Sequence, residues 1–189
     1  MKATEERLGD IRLYRVPETV TVAARSQKQI AMIVQPAVKV QSIVRLRPSS
    51  GNLDMPLERV LVTRNRPQEG LGLALPAGKV AVFGRREGRR VLIGESALDD
   101  RTVGEGVEIV VGTANGVFAR QVQSSRDPKV YNLTLSNDLP GAQSAEIELP
   151  LEVRGVGTKL STRDGWRLWR VTIPANGTAK LSYRYTDQG

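Results

Sequence analysis

Residues 70–83 carry the residue types of a phosphate-binding loop, because three closely spaced glycines are followed directly by a lysine. A Walker A loop has four residues between its first glycine and the Gly-Lys pair, and then a hydroxyl residue that binds magnesium. Here five residues separate Gly72 from Gly78, and Val80 stands where the hydroxyl is required. A strand-like stretch also follows where a helix is needed. We therefore interpret the stretch as a Pro-Gly turn that leads into a strand.

Four arginines surround a Glu-Gly pair just beyond this turn, and we expect them at the tip of a β-hairpin: Arg85, Arg86, Arg89 and Arg90. Guanidinium groups bind phosphates and carboxylates, so this tip is the candidate contact for an anionic partner such as a polysaccharide, a lipid headgroup or a nucleic acid. No aromatic residue lies among the arginines, which disfavours nucleic acid. The alternative interpretation is a solubilising loop.

The rest of the sequence offers little catalytic chemistry. Cysteine and histidine are both absent, which excludes disulfides, zinc–thiolate sites and the usual general base. Asp99 and Asp100 point apart on an extended chain, so we interpret them as a charged surface turn. We therefore predict a non-enzymatic protein with no catalytic residue, cofactor, metal ion or small-molecule substrate. An enzyme would have to use a carboxylate pair such as Asp99 with Glu95 or Glu105.

Alternation of apolar and polar residues dominates the chain and predicts strands with one buried face. The predicted strands are residues 38–47, 58–65, 79–85, 107–112, 129–137, 145–154, 166–173 and 179–186. The best helical candidate is the short stretch 95–102. Strands separated by turns predict an all-β protein with almost no helix, built as two sandwich-like (immunoglobulin-like) parts of antiparallel strands.

A polar, proline-containing stretch at 124–129 suggests a boundary between these parts. We predict a β-sandwich domain over 1–123 and a smaller sandwich-like domain over 124–189, packed on or continuous with the first. Within the second part, Trp166 and Trp169 lie three positions apart on a predicted strand. They should face opposite sides, with one of them in the core.

The chain carries 28 basic and 20 acidic residues, a net charge of +8 that suits an anionic partner or a well-solvated surface. No apolar stretch is long enough for a transmembrane helix, so we predict no transmembrane segment. The first residues contain no apolar region of the kind found in a signal peptide. A cytoplasmic protein or a fragment of an exported protein would both fit.

Several phrases together resemble one family. "LGDIRLYRVPETVTVAARSQKQIAMI" (8–33) shows its tyrosine-proline strand and polar turn, and residues 70–112 follow it more closely, from "LPAG" through a hairpin to "LIGE" and a glycine-glutamate turn. "YNLTLSND" and "IPANGTAKLSYRY" match its C-terminal strands. The chain thereby resembles the domain of unknown function 4139, found at the C-terminal end of mucoidy inhibitor A-like proteins. The match departs from the family at 113–127.

This resemblance implies an all-β fold and carries over no catalytic residue. It implies an extracytoplasmic location, periplasmic or cell-envelope, in a bacterium, and a C-terminal fragment lacking its signal peptide. A cytoplasmic location is the alternative. Together with the missing catalytic chemistry, it predicts a binding or structural module held by a protein partner or an envelope polymer. The oligomeric state is left open by the sequence.

Overall fold

The structure is a computed structural model that describes residues 4–8, 11–15, 21–27, 29, 31–49 and 51–186. The chain divides into two compact units, Met1–Lys39 and Val40–Gly189. The first unit contains an antiparallel pair of strands, β1 (Thr4–Leu8) and β2 (Ile11–Arg15). Further along this unit, the backbone N–H of Ser26 donates to the carbonyl of Ala23 at 3.1 Å and closes a turn.

The second unit is built from strands, which confirms the predicted all-β class. Its strands are β3 (Gln41–Leu46), β4 (Leu53–Arg64), β5 (Gly78–Arg86), β6 (Arg89–Leu98), β7 (Gly106–Gln123), β8 (Val130–Asn137), β9 (Gln143–Leu149), β10 (Val153–Gly155), β11 (Ser161–Arg163), β12 (Trp166–Ile173) and β13 (Gly177–Tyr185). A 3-10 turn at Pro67–Glu69 accompanies them. Within the described residues, no helix has the length and hydropathy needed to cross a bilayer.

The helical prediction for residues 95–102 is wrong. Its first half is the end of β6, where Glu95 lies opposite Ala81 and Leu98 lies opposite Gly78. The stretch has few helix-forming signals of its own. Pairing with β5 therefore determines its conformation.

Nine strands form one sheet in the order β10-β13-β8-β7-β4-β3-β9-β12-β11. Neighbouring strands are antiparallel except β3 and β9, which run parallel with Val44 beside Ala145. Strand β12 contacts β13 and β8, although it lies far from both in the strand order. These contacts show that the sheet curls. The β5–β6 hairpin forms a separate two-stranded sheet, and β6 contacts β7.

The curled sheet encloses one hydrophobic core. Strands from both of its halves contribute fully buried side chains, for example Val44, Leu133 and Ile147. The expectation for the two tryptophans is confirmed: Trp169 is 8% exposed and belongs to this core, whereas Trp166 is half-buried outside it. The guanidinium of Arg47 lies 4.9 Å from the centre of the Trp166 ring.

The predicted boundary at 124–129 falls on the short connection between β7 and β8. The N–H of Ser124 donates to the carbonyl of Val130 at 2.8 Å, and the two strands pair from Val117–Asn137 to Gln123–Tyr131. Strands on both sides of 124 thus lie in one sheet and one core. The division at 123/124 and the sandwich arrangement stay predictions, and the two compact units divide after Lys39.

Candidate functional site

The arginine-rich tip lies on the predicted hairpin, which the structure confirms. Strands β5 and β6 pair antiparallel, and Arg85 faces Arg90 while Arg86 faces Arg89. Glu87 and Gly88 form the turn with φ angles of 50° and 78°. Two left-handed residues give a turn whose twist matches that of the flanking strands. All four arginines are exposed at its end.

The hairpin has two distinct faces. On one face, which we call the outer face, all side chains are exposed. They belong to Lys79, Ala81, Phe83, Arg85, Arg90, Leu92, Glu95 and Ala97. On the inner face, Val80, Val82 and Gly84 are half-buried. A bulge follows Val82, where the pairing steps from Gly94 to Leu92. The outer face is therefore exposed from the base of the arm to its tip, whereas the inner face is half-buried near the base and exposed at Arg86, Arg89 and Val91 near the tip.

The base of the arm is held closely against the large sheet. A Cβ added at Gly94 would overlap the carbonyl oxygen of Val111 in β7. Only glycine allows this approach of two backbones without displacement. The sheet therefore anchors the arm at Gly94, and residues 83–92 extend beyond this contact.

Within residues 85–90, Glu87 of the turn is the one acidic residue among four arginines. Among the described residues, none of them lies within ion-pair distance of a carboxylate. The large sheet also places Arg154 opposite Arg184, but there Asp127 lies 2.5 Å from Arg184. The hairpin tip thus gathers four exposed guanidinium groups that form no ion pair within the described part of the chain.

An aromatic side chain that the sequence interpretation missed belongs to this cluster. The guanidinium of Arg90 lies 4.3 Å from the centre of the Phe83 ring. Phe83 faces Leu92 across the ribbon, so both stand on the outer face directly behind the Arg85–Arg90 pair. Counting by twos from the predicted turn would have placed Phe83 beside Arg85 on one face. Phe83 precedes the first arginine in the sequence, so a search limited to the residues between the arginines does not find it.

A second set of arginines lies on the large sheet, and each of them contacts at least one glutamate. We call it the arginine–glutamate network: Arg45, Arg47, Glu108, Glu146, Glu148, Arg163 and Arg170. Arg45 donates two hydrogen bonds to Glu108, at 2.6 and 2.9 Å, and one to Glu146 at 3.1 Å. Arg170 donates to Glu146 at 2.8 Å from the other side. The sequence interpretation did not identify this network.

Burial and neighbouring charges have opposite effects on the pKa values of the network: burial disfavours the charged forms, and the opposite charges favour them. Burial by itself lowers the pKa of Arg45, but the hydrogen bonds with Glu108 and the charges of Glu108, Glu148 and Glu146 together outweigh it and raise that pKa overall. The hydrogen bond from Arg45 is the main reason that the pKa of Glu108 is lowered. Burial opposes ionisation of Glu146, yet the arginines around it, led by Arg170, lower its pKa. Both carboxyl groups are thus held ionised.

An open groove of about 380 Å³ lies beside this network. Arg163, Arg170 and Glu146 line part of it, together with Ile43 and Val171. Because Glu146 already binds both guanidinium groups, the groove presents paired charges. Its chemistry is that of a structural ion-pair cluster at the surface of the sheet.

The glycine-rich stretch is a loop organised by a buried asparagine. Asn65 is fully buried, and its side-chain oxygen accepts the backbone N–H groups of Gly72 at 2.9 Å and Leu73 at 3.3 Å. Its amide nitrogen donates to the carbonyls of Leu73 and Thr102. These N–H groups, which a phosphate loop would direct at its ligand, here hold the loop to Asn65. Strand β5 then begins at Gly78, as the turn interpretation predicts.

The acidic residues considered for catalysis lie in β6, for Glu95, and in the loop between β6 and β7, for Asp99, Asp100 and Glu105. Asp100 accepts the backbone N–H of Ala77 at 2.6 Å, and Glu105 accepts that of Thr102 at 2.5 Å. Asp99 lies 3.5 Å from Arg101. Within the described ranges, no three acidic residues are placed to hold a metal ion.

No family model, curated protein or solved structure matches this chain. The resemblance to the domain of unknown function 4139 therefore stays a prediction, as does the envelope location that it implies.

Proposed function

We propose that this protein is a binding module that contacts an anionic partner through the tip of its β5–β6 hairpin. The observation that carries the proposal is the double pairing of like charges, Arg85 with Arg90 and Arg86 with Arg89. Like charges directly opposite each other destabilise a sheet. Phosphate, sulfate or carboxylate groups of a partner would relieve this repulsion, since a guanidinium binds two oxygens at once.

The construction of the arm supports the same proposal. Its base is held against β7 at Gly94, and its tip is closed by a two-residue turn. The four guanidinium groups therefore project from a regular ribbon, and little ordering is needed when a partner binds. The net charge of +8 adds a general attraction for anions that speeds the encounter.

A wider form of the proposal concerns the biological setting. The family resemblance supports a non-enzymatic binding or structural module of a bacterial cell-envelope protein, with a protein or an envelope polymer as partner. In that setting the hairpin tip would be the contact element. The anionic partner of the proposal would then be an anionic polymer of the cell envelope.

The test measures binding to heparin, a soluble sulfated polymer, over a range of salt concentrations. The variant replaces Arg85, Arg86, Arg89 and Arg90 with Gln. We expect affinity to fall by about tenfold or more, and the salt dependence to become shallower, because fewer counterions are released on binding.

A matched control removes the same charge elsewhere on the second unit. Its variant replaces four exposed cations that have no part in the network with Gln: Arg64, Arg66, Arg126 and Lys159. We expect this control to retain most of the heparin affinity. Equal losses in the two variants would mean that charge acts diffusely, and the hairpin would be rejected as the contact.

A further inference from the structure

The outer face of the hairpin places apolar side chains directly behind its arginines. Phe83 is 47% exposed and Leu92 is 49% exposed, and they face each other across the ribbon. Large apolar groups clustered at a surface mark contact sites. A soluble polyanion would satisfy the Arg85–Arg90 pair but would offer nothing to this apolar pair. The chemistry of the face therefore calls for a partner that is anionic and apolar at one place.

We infer that this partner is the surface of an anionic lipid bilayer, an inference that rests on the proposed function. In a bilayer the charged headgroups lie directly above the apolar chains, and a bound element reaches about 5–10 Å into the boundary between them. Each basic residue near such a surface strengthens binding about fivefold. The hairpin then lies with its outer face along the membrane.

The ribbon geometry suits this orientation. Residues on one face follow each other about 7 Å apart along a strand, so Phe83 and Arg85 reach the same headgroup layer. Arginine stems are long enough to keep the guanidinium at phosphate level while neighbouring apolar groups sit deeper. The Arg90 guanidinium already lies over the Phe83 ring, at 4.3 Å. Glu95, a carboxylate on this face, lies nearer the base, opposite Ala81.

The experiment is sedimentation with phosphatidylcholine vesicles, with and without phosphatidylglycerol. We expect the wild-type protein to bind the anionic vesicles and to bind the neutral ones much more weakly. The double variant Phe83→Ser/Leu92→Ser should lose about tenfold or more in vesicle binding, since two apolar side chains no longer enter the boundary. It should keep its heparin affinity, because its arginines are unchanged.

A matched variant uses the exposed apolar residues that do not belong to the outer face. Val91 lies opposite Gly84 and Ile93 lies in the bulge; they are 44% and 52% exposed. The variant Val91→Ser/Ile93→Ser should bind vesicles nearly as the wild type does. Equal losses in the two double variants would overturn the assignment of the outer face.

Depth of insertion gives a second, independent measurement. Phe83→Trp places a fluorophore on the outer face, and Phe118→Trp places one at a site of similar exposure, 50%, on β7. Brominated lipids should quench the first variant beyond the background of the two native tryptophans and leave the second unchanged. Equal quenching would overturn the inference.

The outcomes separate this inference from the proposed function. Heparin binding without vesicle binding would overturn the bilayer as partner and leave the anion-binding hairpin intact. Both proposals are supported if the arginine variant loses heparin and vesicle binding while Phe83→Ser/Leu92→Ser loses vesicle binding and keeps heparin binding. Concentration-dependent self-association that Phe83→Ser/Leu92→Ser abolishes would assign the apolar pair to a second copy of the chain and overturn the bilayer inference. An absence of both bindings in the wild type would overturn both proposals.

Discussion

The protein uses arginine in two opposite ways. In the arginine–glutamate network, the guanidinium of Arg45 is buried and contacts three carboxylates. At the hairpin tip, Arg90 is exposed and faces another arginine, Arg85. A buried charge must be paired because desolvation is costly, whereas water and salt screen an exposed one. The arginines of the network therefore need their carboxylates in the folded sheet, whereas those of the tip can stay unpaired in water.

The network also explains why two central strands are buried on both faces. In β3 and β9, all residues after the first two are buried, including Arg45, Glu146 and Glu148. One face of these strands packs into the hydrophobic core. The other is covered by ion pairs in place of apolar side chains, so the sheet needs no second apolar layer there.

The largest expected difference between the network and the hairpin tip is the effect of losing one arginine on the free energy of unfolding. Arg45→Ala leaves Glu108 and Glu146 without their central partner, and we expect the free energy of unfolding to fall by about 3 kcal/mol. Arg90→Ala removes an exposed, unpaired charge and should change it by less than about 0.5 kcal/mol. Urea unfolding of both variants measures the contrast. Similar values for the two would erase the distinction between matched and unmatched arginines.

The next difference is in the response to acid. The pKa values of Glu108 and Glu146 lie below the ordinary 4.5 in the folded protein. A lowered folded pKa stabilises the protein fully above pH 4.5, and this contribution is lost as the pH falls through the lowered values. Urea midpoints should therefore fall on acidification below pH 4.5, more steeply in the wild type than in Glu108→Gln. Parallel curves for the two proteins would contradict this role of Glu108.

The smallest expected effect on stability comes from introducing one cross-strand pair of opposite charge at the hairpin tip. Arg86→Glu places a carboxylate opposite Arg89, and a cross-strand pair of opposite charge should raise the free energy of unfolding by about 0.5 kcal/mol or less. Heparin affinity should fall at the same time, since two positive charges of the tip are neutralised. Heparin chromatography and urea unfolding together check this opposition. A variant that gains both stability and affinity would break the comparison.

Local signals were sufficient for the hairpin and for several strands. Strand β12 has the predicted bounds, 166–173, because its alternation is regular and turns flank it. The two-residue Glu-Gly turn likewise indicates which arginines face each other across the hairpin. By contrast, β7 continues to Gln123, well past the predicted end at 112. Its second half contains Gly116 and several small residues, so only pairing with β4 and β8 extends it.

The arginine–glutamate network could not be predicted from the chain. Arg45 and Glu146 are 101 positions apart, and the parallel pairing of β3 with β9 brings them side by side. Nothing in the surroundings of either residue indicates the other. The same holds for Asn65, whose contacts reach loop residues that precede and follow the hairpin.

The all-strand character and the arginine-tipped hairpin follow from the amino-acid order alone, because alternation and turn chemistry act over a few neighbouring residues. Which arginines are compensated follows only from the folded sheet, because charge pairing depends on which distant strands become neighbours. The fold also sets which face of the hairpin is exposed along its whole length, because the inner face approaches β7 at Gly94. The arginines of the tip lie beyond that contact, so no strand of the described sheet supplies them with a carboxylate.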